Sequence, residues 1–414
     1  MLKSIGRQIG IVRWLRKLSK GHQDNSAQLS KVSAIPECTG DRMEIRKRQP
    51  LTSLAVEQVR LAEAVRYPLP GATVYTNMIE FDPEFALHLS RDIYSDRTAH
   101  VSPIDLVRLE SAAIYPDDYI VTTGASVVEE QVPPWVAAGA AVSLNASMRS
   151  EEISLETVIV ARYGAWTWGH WLGELLPKIV MVEAEFPGRF CFAVPQTYDR
   201  PEWRNFRESI SAYGIQPERL LLLESDRVYT LLRAWAVTSI WSDHVMHPAA
   251  AELMRRSLRA PLDKGGAAKV ALLRQPGAAR VLENWGEISS LLADDGYETV
   301  DIAQISFADQ VRTFRKADAV FSTLGSGLTG LIYSPIGVAV TSVAPAVFGD
   351  RFFYALVVDR GGRYADVRGP TVSPDPNIPH RGSFMVSRAH VAQALATVSD
   401  RELHVPTRGS QDRF

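Results

Sequence analysis

The densest group of potentially reactive side chains lies in the segment WTWGHWLGELLPK, residues 166–178. His170 and Glu174 are four positions apart, so on a helix they project from the same face. An imidazole beside a carboxylate can take a proton from a hydroxyl group, while the carboxylate orients the ring or shares the role. We therefore predict His170 and Glu174 as catalytic residues. A metal site is not indicated, because no third ligand accompanies the pair.

Three tryptophans surround this pair, and they have two interpretations. Indole rings stack on the apolar face of a sugar, which would make the tryptophans part of a sugar site. Alternatively, the segment is a core helix whose apolar side chains are buried and whose histidine has only a structural hydrogen bond. The residues predicted to contact the sugar are Trp166, Trp168 and Trp171.

The segment FSTLGSGLTG, residues 321–330, contains the spacing G-x-G-x-x-G. NAD or FAD would require these glycines after the first strand of a β-α-β unit, whereas here they follow the third predicted strand. Asp350, the acidic residue at the expected spacing, lies in a loop beyond the next strand. A glycine turn there still presents backbone N–H groups to an anion; the alternative is a tight turn needed only for packing. The predicted contacts are Gly325, Ser326, Gly327 and Thr329.

A basic pair precedes this turn. Arg274 ends a predicted strand, and Arg280 follows in a loop before Asn284 and Glu287. A guanidinium at the carboxyl end of a strand, near the glycine turn of its neighbour, is suited to a diphosphate. We predict that Arg274, Arg280 and Asn284 bind such a group; the alternative for each arginine is an ordinary surface position.

These residues need parallel strands to bring them together, and the C-terminal half predicts them. The periodicity indicates a β-α-β-α-β-α-β series typical of a Rossmann-like domain. Ser306 and Asp309 form a capping-box-like helix start. The predicted strands are 269–274, 297–302, 318–323 and 338–343, and the predicted helices are 284–296, the segment from 306, the segment after 325 and 387–398.

Composition and the rest of the chain set the broader limits. The 414 residues favour two domains. With 45 basic and 47 acidic side chains, no attraction to nucleic acid is implied. Cys38 and Cys191 have no zinc or disulfide spacing, which favours a cytoplasmic setting. Short strand patterns precede an alternating α/β pattern in the N-terminal half. The predicted division is 1–50 as a basic segment and linker, 51–265 as an α/β domain, 266–365 as a Rossmann-like domain, and 366–414 as an extension with one helix.

The N-terminus is basic. Six Lys and Arg residues and no acidic residue occur in residues 1–23, with apolar residues at helical spacing. This predicts either an amphipathic helix that contacts an anionic inner membrane leaflet or a solvated basic tail. No apolar run is long enough to cross a bilayer.

Taken together, the motifs resemble glycosyltransferase family 61. GHWL-x-E-x-LPK at 169–178 resembles the family signature (F/G)HWLxExLPR, and the segment from Arg274 through Arg280, Asn284 and Glu287 resembles a second family motif. LGSGLTG at 324–330 resembles the family loop HGAGLTN, with Leu324 in place of its histidine and Gly330 in place of its asparagine.

The resemblance implies a GT-B-like fold, with two Rossmann-like domains facing a cleft and additional strands in the N-terminal half. It also implies an inverting, metal-independent sugar transfer from a nucleotide sugar to a glycan, with no cofactor, in capsular or exopolysaccharide biosynthesis. Because Leu324 replaces the histidine, the alternative is a catalytically degenerate paralogue that binds a nucleotide sugar or a glycan. The donor, the acceptor and the oligomeric state are left open.

Overall fold

Two α/β units with parallel strands make up the described part of the chain. In the computed structural model these residues are 42–45, 47–76, 91, 93–116, 119–133, 136–137, 140–145, 148–196, 203–258, 268–274, 279–373 and 381–400. The basic segment 1–23, most of the predicted hinge at 264–268 and the tail after 400 lie outside them.

The strands of the N-terminal unit form one large mixed sheet and three small two-stranded sheets. In chain order the strands of this half are β1 Arg42–Ile45, β2 Arg48–Gln49, β3 Glu57–Ala62, β4 Val65–Leu69, β5 Thr73–Thr76, β6 Arg97–Val101, β7 Ile104–Arg108, β8 Ala112–Tyr115, β9 Ile120–Thr123, β10 Ser126–Val128, β11 Val142–Asn145, β12 Arg149–Ile159, β13 Cys191–Pro195, β14 Leu220–Leu223, β15 Arg227–Val237, β16 Trp241–Ser242 and β17 Val245–Met246.

The remaining strands follow residue 267. They are β18 Ala268–Leu272, β19 Tyr297–Val300, β20 Ala317–Thr323, β21 Ala339–Pro345, β22 Arg363–Gly369, β23 Thr371–Ser373 and β24 Ser383–Phe384.

The helices cover the parallel parts of both sheets. The α-helices are α1 Trp168–His170, α2 Leu176–Glu185, α3 Arg204–Ala212, α4 Pro248–Ser257, α5 Trp285–Asp294, α6 Phe307–Lys316, α7 Phe352–Asp359 and α8 Arg388–Ser399; a π-helical turn spans Trp171–Leu175, and 3-10 helices span Leu51–Ser53, Glu129–Gln131, Pro217–Arg219 and Ser326–Tyr333.

The large N-terminal sheet has a parallel part in the order β14–β13–β12–β15, which is 3-2-1-4 in chain order. The direction of the sheet changes beyond β15, which pairs with β7 and β8 in antiparallel fashion. The chain order reverses between β12 and β15. The loop after β12 therefore lies where open α/β sheets usually bind their ligands.

The C-terminal sheet is entirely parallel, in the order β19–β18–β20–β21–β22–β5. The inner strands β20, β21 and β22 are almost fully buried, as expected for parallel strands covered on both faces, whereas the edge strands β19 and β5 are more exposed. Its order of 2-1-3-4-5 reverses between β18 and β20, so the loops after these two strands form its switch point.

The α/β class, the two units and the extra N-terminal strands are confirmed. The predicted unit boundaries need correction, because sheet membership does not follow them. β5 at 73–76 adds to the C-terminal sheet by pairing with β22. Helix α8 packs on the same sheet, and its apolar side chains belong to that core. The proposed extension 366–414 therefore contributes to the C-terminal unit.

Three sequence predictions of local structure have clear outcomes. The Ser306 Oγ atom accepts a hydrogen bond from the N–H of Asp309 and so caps α6, as predicted. Gly296 has a φ of +81° just after α5, which confirms the predicted glycine at that helix end. The helix expected after Gly325 is instead the 3-10 helix 326–333.

Contacts between α3 and α6 join the two units. The Glu208 carboxylate accepts a hydrogen bond of 2.8 Å from the N–H of Phe307, at the start of α6. The hydroxyl groups of Tyr213 and Tyr333 are 2.9 Å apart in the same interior. One continuous apolar core runs through both units. The loops after β12, β18 and β20 are therefore held by a common interior.

Candidate functional site

The two predicted basic residues meet at the glycine turn. Arg274 follows β18, and Gly325 follows β20, so both lie at the switch point of the C-terminal sheet. A methyl group added at Gly325 would collide with Nη1 of Arg274 and lie 3.4 Å from Nη2 of Arg280. The φ of Gly325 is 167°, which is ordinary extended backbone. Glycine is thus needed here for the close approach of the two guanidinium groups.

Arg280 is fixed by several contacts. Its Nε donates 3.0 Å to the carbonyl oxygen of Leu324, and its N–H donates 2.8 Å to the carbonyl oxygen of Arg381. Its guanidinium carbon lies 4.1 Å from the centroid of the Phe348 ring, a cation–π distance. Its φ of +60° is unusual for a side chain of this size. Arg280 is therefore held on the turn at some conformational cost.

Arg274 has an unmet hydrogen-bonding requirement. Its Nε is buried and has no hydrogen-bond partner within the described part of the chain. Burial, and then the charge of Arg280, lower its pKa to about 10, so it remains charged at neutral pH. Burial likewise lowers the pKa of Arg280, although the Asp350 carboxyl group opposes this. Two partly buried positive charges side by side favour an anionic ligand.

The other predicted residues of the turn have different environments. Ser326 lies beside Gly169, where an added methyl group would be 3.2 Å from its Oγ. Thr329 is fully buried beneath the π-helical turn, and its hydroxyl oxygen has no partner in the described structure. Gly327 packs on Ile302. The turn thus contacts the segment that carries His170. Thr329 is buried between the turn and this segment and does not face an open surface.

Gly330, the last glycine of the fingerprint spacing, has a packing role. A methyl group at this position would collide with the ring of Phe314 on α6. Leu324 is also fully buried in the shared core, and only its carbonyl oxygen meets the site through Arg280. The packing interpretation therefore holds for part of the motif, and the anion interpretation is supported at Gly325.

The hydrogen bonds of Asn284 do not fit the predicted role in donor binding. Its amide nitrogen donates 2.9 Å to the carbonyl oxygen of Val386, and its amide oxygen accepts 3.2 Å from the N–H of the same residue. The amide nitrogen also donates to Glu287. These bonds occupy the side chain and tie the start of α5 to the segment after β24, so the prediction is corrected to a positioning role.

His170 and Glu174 come together as the spacing predicted. The His170 Nδ1 atom lies 3.4 Å from Glu174 Oε2. Glu174 is buried, whereas 42 % of the His170 side chain is exposed. The helix forms a π-helical turn at 171–175, a distortion that is often found at functional sites. The carbonyl oxygen of Gly173 in this turn accepts a hydrogen bond of 2.6 Å from the Trp241 indole.

Arg162 is a site residue that the sequence analysis missed. Its Nη1 lies 2.5 Å from both oxygens of Glu174. Burial tends to raise the pKa of Glu174, but the bond with His170 and the charges of Arg162 and Lys178 lower it to about 2. Glu174 is therefore a permanent carboxylate at neutral pH. Arg162 lies in the loop after β12, twelve positions from its partner, so no helical spacing signals the contact.

The three tryptophans differ in exposure. Trp166 is 39 % exposed, and Tyr163 packs edge-on against it at a centroid distance of 4.6 Å. Trp168 is partly buried against Phe206 of α3 and Phe307 of α6. Trp171 is fully buried, so the prediction that it binds the acceptor is wrong.

The bond pattern of Trp171 explains its burial. Its indole N–H donates 2.8 Å to the Ser209 hydroxyl, which donates to a backbone carbonyl of α3. The core-helix interpretation therefore applies to Trp171, while Trp166 remains partly exposed against Tyr163.

Other features of the structure lie outside this arrangement. A concavity of about 620 Å³ on the N-terminal sheet is lined by residues such as Met43 and Tyr115, none of which belongs to the site. Within the described ranges, no three His, Cys, Asp or Glu side chains are grouped as metal ligands. No helix in the described part of the chain is long and apolar enough to cross a bilayer.

Comparison with known proteins identifies the central region of the chain. Residues 168–341 match the family model described as Glycosyltransferase 61. This region includes His170, the basic pair and the glycine turn. The match supports glycosyltransferase activity. No curated protein is significantly similar in sequence.

Two solved glycosyltransferase structures are similar at low identity. One is the E. coli heptosyltransferase WaaC with ADP, at 13 % identity and a TM-score of 0.29, covering 60 % of this chain and 99 % of WaaC. The other is the iron-containing dodecameric glycosyltransferase TibC from enterotoxigenic E. coli, at 11 % identity and a TM-score of 0.27, covering 60 % of this chain and 77 % of TibC.

Proposed function

Because residues 168–341 match the family model described as Glycosyltransferase 61, we propose that this chain transfers a sugar from a nucleotide-sugar donor to a hydroxyl group of a glycan. We further propose that transfer proceeds with inversion, without a metal ion or cofactor, during polysaccharide biosynthesis. The observation that carries the proposal is the pair of partly buried guanidinium groups beside Gly325 at the switch point of the C-terminal sheet.

The donor diphosphate is assigned to Arg274, Arg280 and the backbone of the 325–327 turn. A nucleotide sugar carries about two negative charges on its diphosphate, and two arginines match this charge. When the bond between the sugar and the diphosphate breaks, charge grows on the leaving oxygen. Fixed positive groups stabilise that charge in the transition state more than in the ground state.

The acceptor is assigned to the loop after β12, with the exposed Trp166 as a stacking surface. His170 takes the proton of the attacking hydroxyl group. The freed oxygen forms a bond to the anomeric carbon as the bond to the diphosphate breaks, so the nucleoside diphosphate leaves with the bonding electron pair. Glu174, ionised and 3.4 Å from Nδ1, stabilises the imidazolium that forms.

The packing of the turn against the His170 segment supports this division of roles. Gly169 lies against Ser326 and Thr329, and Gly173 lies against Thr329. A base and a leaving-group site must lie close together for an in-line displacement. Here His170 directly follows Gly169, and Gly325 directly precedes Ser326, so the base and the arginine site both lie next to the contact between the two segments.

The test begins with a thermal-shift panel of nucleotide sugars, followed by mass detection of the released nucleotide with and without glycan acceptors. We expect one class of donor to raise the melting temperature and to release its nucleoside diphosphate. His170→Ala should bind the same donor but lose transfer. Unchanged turnover in this variant would remove His170 as the base, and stabilisation by NAD(P) instead would reject the donor assignment.

Leu324 favours a second candidate, a nucleotide-sugar- or glycan-binding protein without turnover. The family loop has a histidine at this position, whereas this chain places a fully buried leucine there. Stabilisation by a donor with no nucleotide release under any acceptor would support this candidate. Release of a nucleoside diphosphate would exclude it.

The cellular setting is also a proposal. We assign the protein to the cytoplasm, with peripheral contact to anionic membrane through residues 1–23, a range outside the described structure. The substrates are the nucleotide sugar and the glycan, and no nucleic acid is assigned as a partner.

A further inference from the structure

We propose that Arg162 and Gly164, in the loop after β12, are positioning residues that fix His170 with a proton on Nδ1 and a free lone pair on Nε2. This inference rests on the proposed function, in which Nε2 receives the proton of the acceptor. Neither residue belongs to the family-matched region, which begins at 168.

Gly164 forms one side of the seat for the imidazole. A methyl group at Gly164 would lie 3.1 Å from Cδ2 and 3.5 Å from Nε2 of His170. A carbon at 3.1 Å is closer than most real contacts of a methyl group, so the ring would have to shift by a few tenths of an ångström. Gly164 also has a φ of +83°, which glycine adopts without strain. The backbone therefore approaches the edge of the ring that carries Nε2.

Glu174 forms the other side of the seat. Its Oε2 lies 3.4 Å from Nδ1 and so accepts a proton held there. An imidazole that donates from Nδ1 in its neutral form has its lone pair on Nε2. The Gly164 and Glu174 contacts thus define both the orientation and the tautomer of the ring.

Arg162 keeps Glu174 in place. The Nη1 atom of Arg162 lies 2.5 Å from both carboxylate oxygens of Glu174. The Nε atom of Arg162 donates a hydrogen bond of 3.0 Å to the carbonyl oxygen of Tyr163. The titratable groups that face Glu174 are Arg162, His170 and Lys178, and the charge of Glu130 acts in turn on Lys178. Two cations beside the carboxylate ensure that it accepts a hydrogen bond and does not take a proton from the ring.

The loop after β12 therefore carries two kinds of residue. Tyr163 and Trp166, which flank Gly164 and Ala165, pack edge to face as an aromatic corner, while Arg162 and Gly164 position His170. An acceptor sugar on the aromatic corner would meet an imidazole that the same loop has oriented. A misplacement of about 1 Å between reacting groups costs on the order of 100-fold in rate.

The experiment uses the full chain with ¹⁵N-labelled histidine, and the His170 signals are assigned from their loss in His170→Gln. Without substrate, we expect a protonated Nδ1 and an unprotonated Nε2. Gly164→Ala should displace these signals and lower kcat several-fold, because the ring must shift by a few tenths of an ångström, with the KM of the donor unchanged. Arg162→Met should change the tautomer signals and lower kcat, and Arg162→Lys should restore part of both.

Gly188→Ala is the matched control. Gly188 has a similar φ of +75°, but an added methyl group meets nothing within 4 Å. It carries the same backbone strain without touching His170, so its turnover and tautomer should match those of the wild type. An equal loss of rate in both glycine variants would mean that strain alone is responsible and would overturn the role of Gly164.

The outcomes separate this inference from the proposed function. A proton on Nε2 in the wild type, or wild-type tautomer signals in both Gly164→Ala and Arg162→Met, overturns the inference even if the enzyme is active. If no donor is turned over, the tautomer spectra still decide whether the loop positions the ring. Lost transfer in His170→Ala together with full transfer in Gly164→Ala leaves the proposed function intact and rejects the positioning role.

Discussion

Replacing Arg274 by methionine should make the ligand-free protein more stable and donor binding weaker. The Nε of Arg274 is buried without a partner in the described structure, and burial lowers the pKa of its guanidinium from the ordinary arginine value to about 10. A difference of that size corresponds to about 3 kcal/mol against the charged form. Methionine has a similar length and carries no charge, so most of this cost should disappear.

The expected gain in the free energy of unfolding is about 1–3 kcal/mol, since some favourable contacts of the guanidinium are lost as well. Binding should change in the opposite direction. A hydrogen bond to a charged group contributes about 1.5–3 kcal/mol, so loss of one diphosphate contact should weaken binding roughly 10- to 150-fold. A residue with only a structural role would lower stability and leave affinity unchanged.

Urea unfolding of the ligand-free protein measures the first effect, and isothermal titration with a panel of nucleoside diphosphates measures the second. Arg368→Met is the matched control, because Arg368 is fully buried but pairs with Asp366 at 2.7 Å. Removing one partner of a buried pair typically costs about 3–5 kcal/mol. The reasoning is refuted if Arg274→Met destabilises the protein and leaves nucleotide affinity at the wild-type level.

Four further outcomes are expected. Gly325→Ala should weaken nucleotide binding about 10-fold or more by displacing the neighbouring guanidinium, whereas Gly286→Ala, where an added methyl group meets nothing within 4 Å, should leave titration curves unchanged. Glu174→Gln should lower the free energy of unfolding by about 3 kcal/mol at pH 7. Because folding lowers the pKa of Glu174 from 4.5 to about 2, this difference between variant and wild type should shrink as the pH falls through that window, as chemical denaturation at several pH values can show. Trp166→Ala should raise the KM of the acceptor about 2- to 10-fold with little change in melting temperature, consistent with loss of a stacking contact. Deletion of residues 1–23 should abolish sedimentation with anionic liposomes at low salt, and equal sedimentation of both forms would contradict membrane contact.

The sequence was sufficient for contacts that depend on regular spacing. His170 and Glu174 are close because they share a helix face, and Arg274 meets Gly325 because the carboxyl ends of adjacent parallel strands share an edge. The capping of α6 by Ser306 followed from a local pattern for the same reason. Each of these relations uses only the geometry of one element or of two neighbouring strands.

Contacts across loops could not be read in this way. Arg162 reaches Glu174 from a loop whose path depends on the packing of β12 and the π-helical turn, and no period in the sequence encodes that path. Trp171 was misassigned because a tryptophan beside a predicted catalytic histidine suits either a sugar surface or a core. The partner that decides for the core is Ser209 on α3, which becomes apparent only in the fold.

The glycine motif shows a similar division. Gly325 was correctly placed near the arginines, but the reason for glycine there is the close approach of a guanidinium rather than an unusual φ. Gly330 is also a glycine of the motif, yet its missing side chain makes room for the ring of Phe314. The motif alone does not distinguish the two glycines; the residues that contact them in the fold do.

The position of β5 at the edge of the C-terminal sheet constrains how the chain can fold during its synthesis. Tyr75 on this strand contacts Thr397 on α8, although 322 positions separate them. At about 5–20 residues per second, a ribosome needs on the order of tens of seconds to deliver the partners of β5. During that interval the strand is an unpaired edge, which in other proteins invites association with a second chain. We expect nascent chains that stop before β22 to depend on chaperones, and the two units to fold late and together.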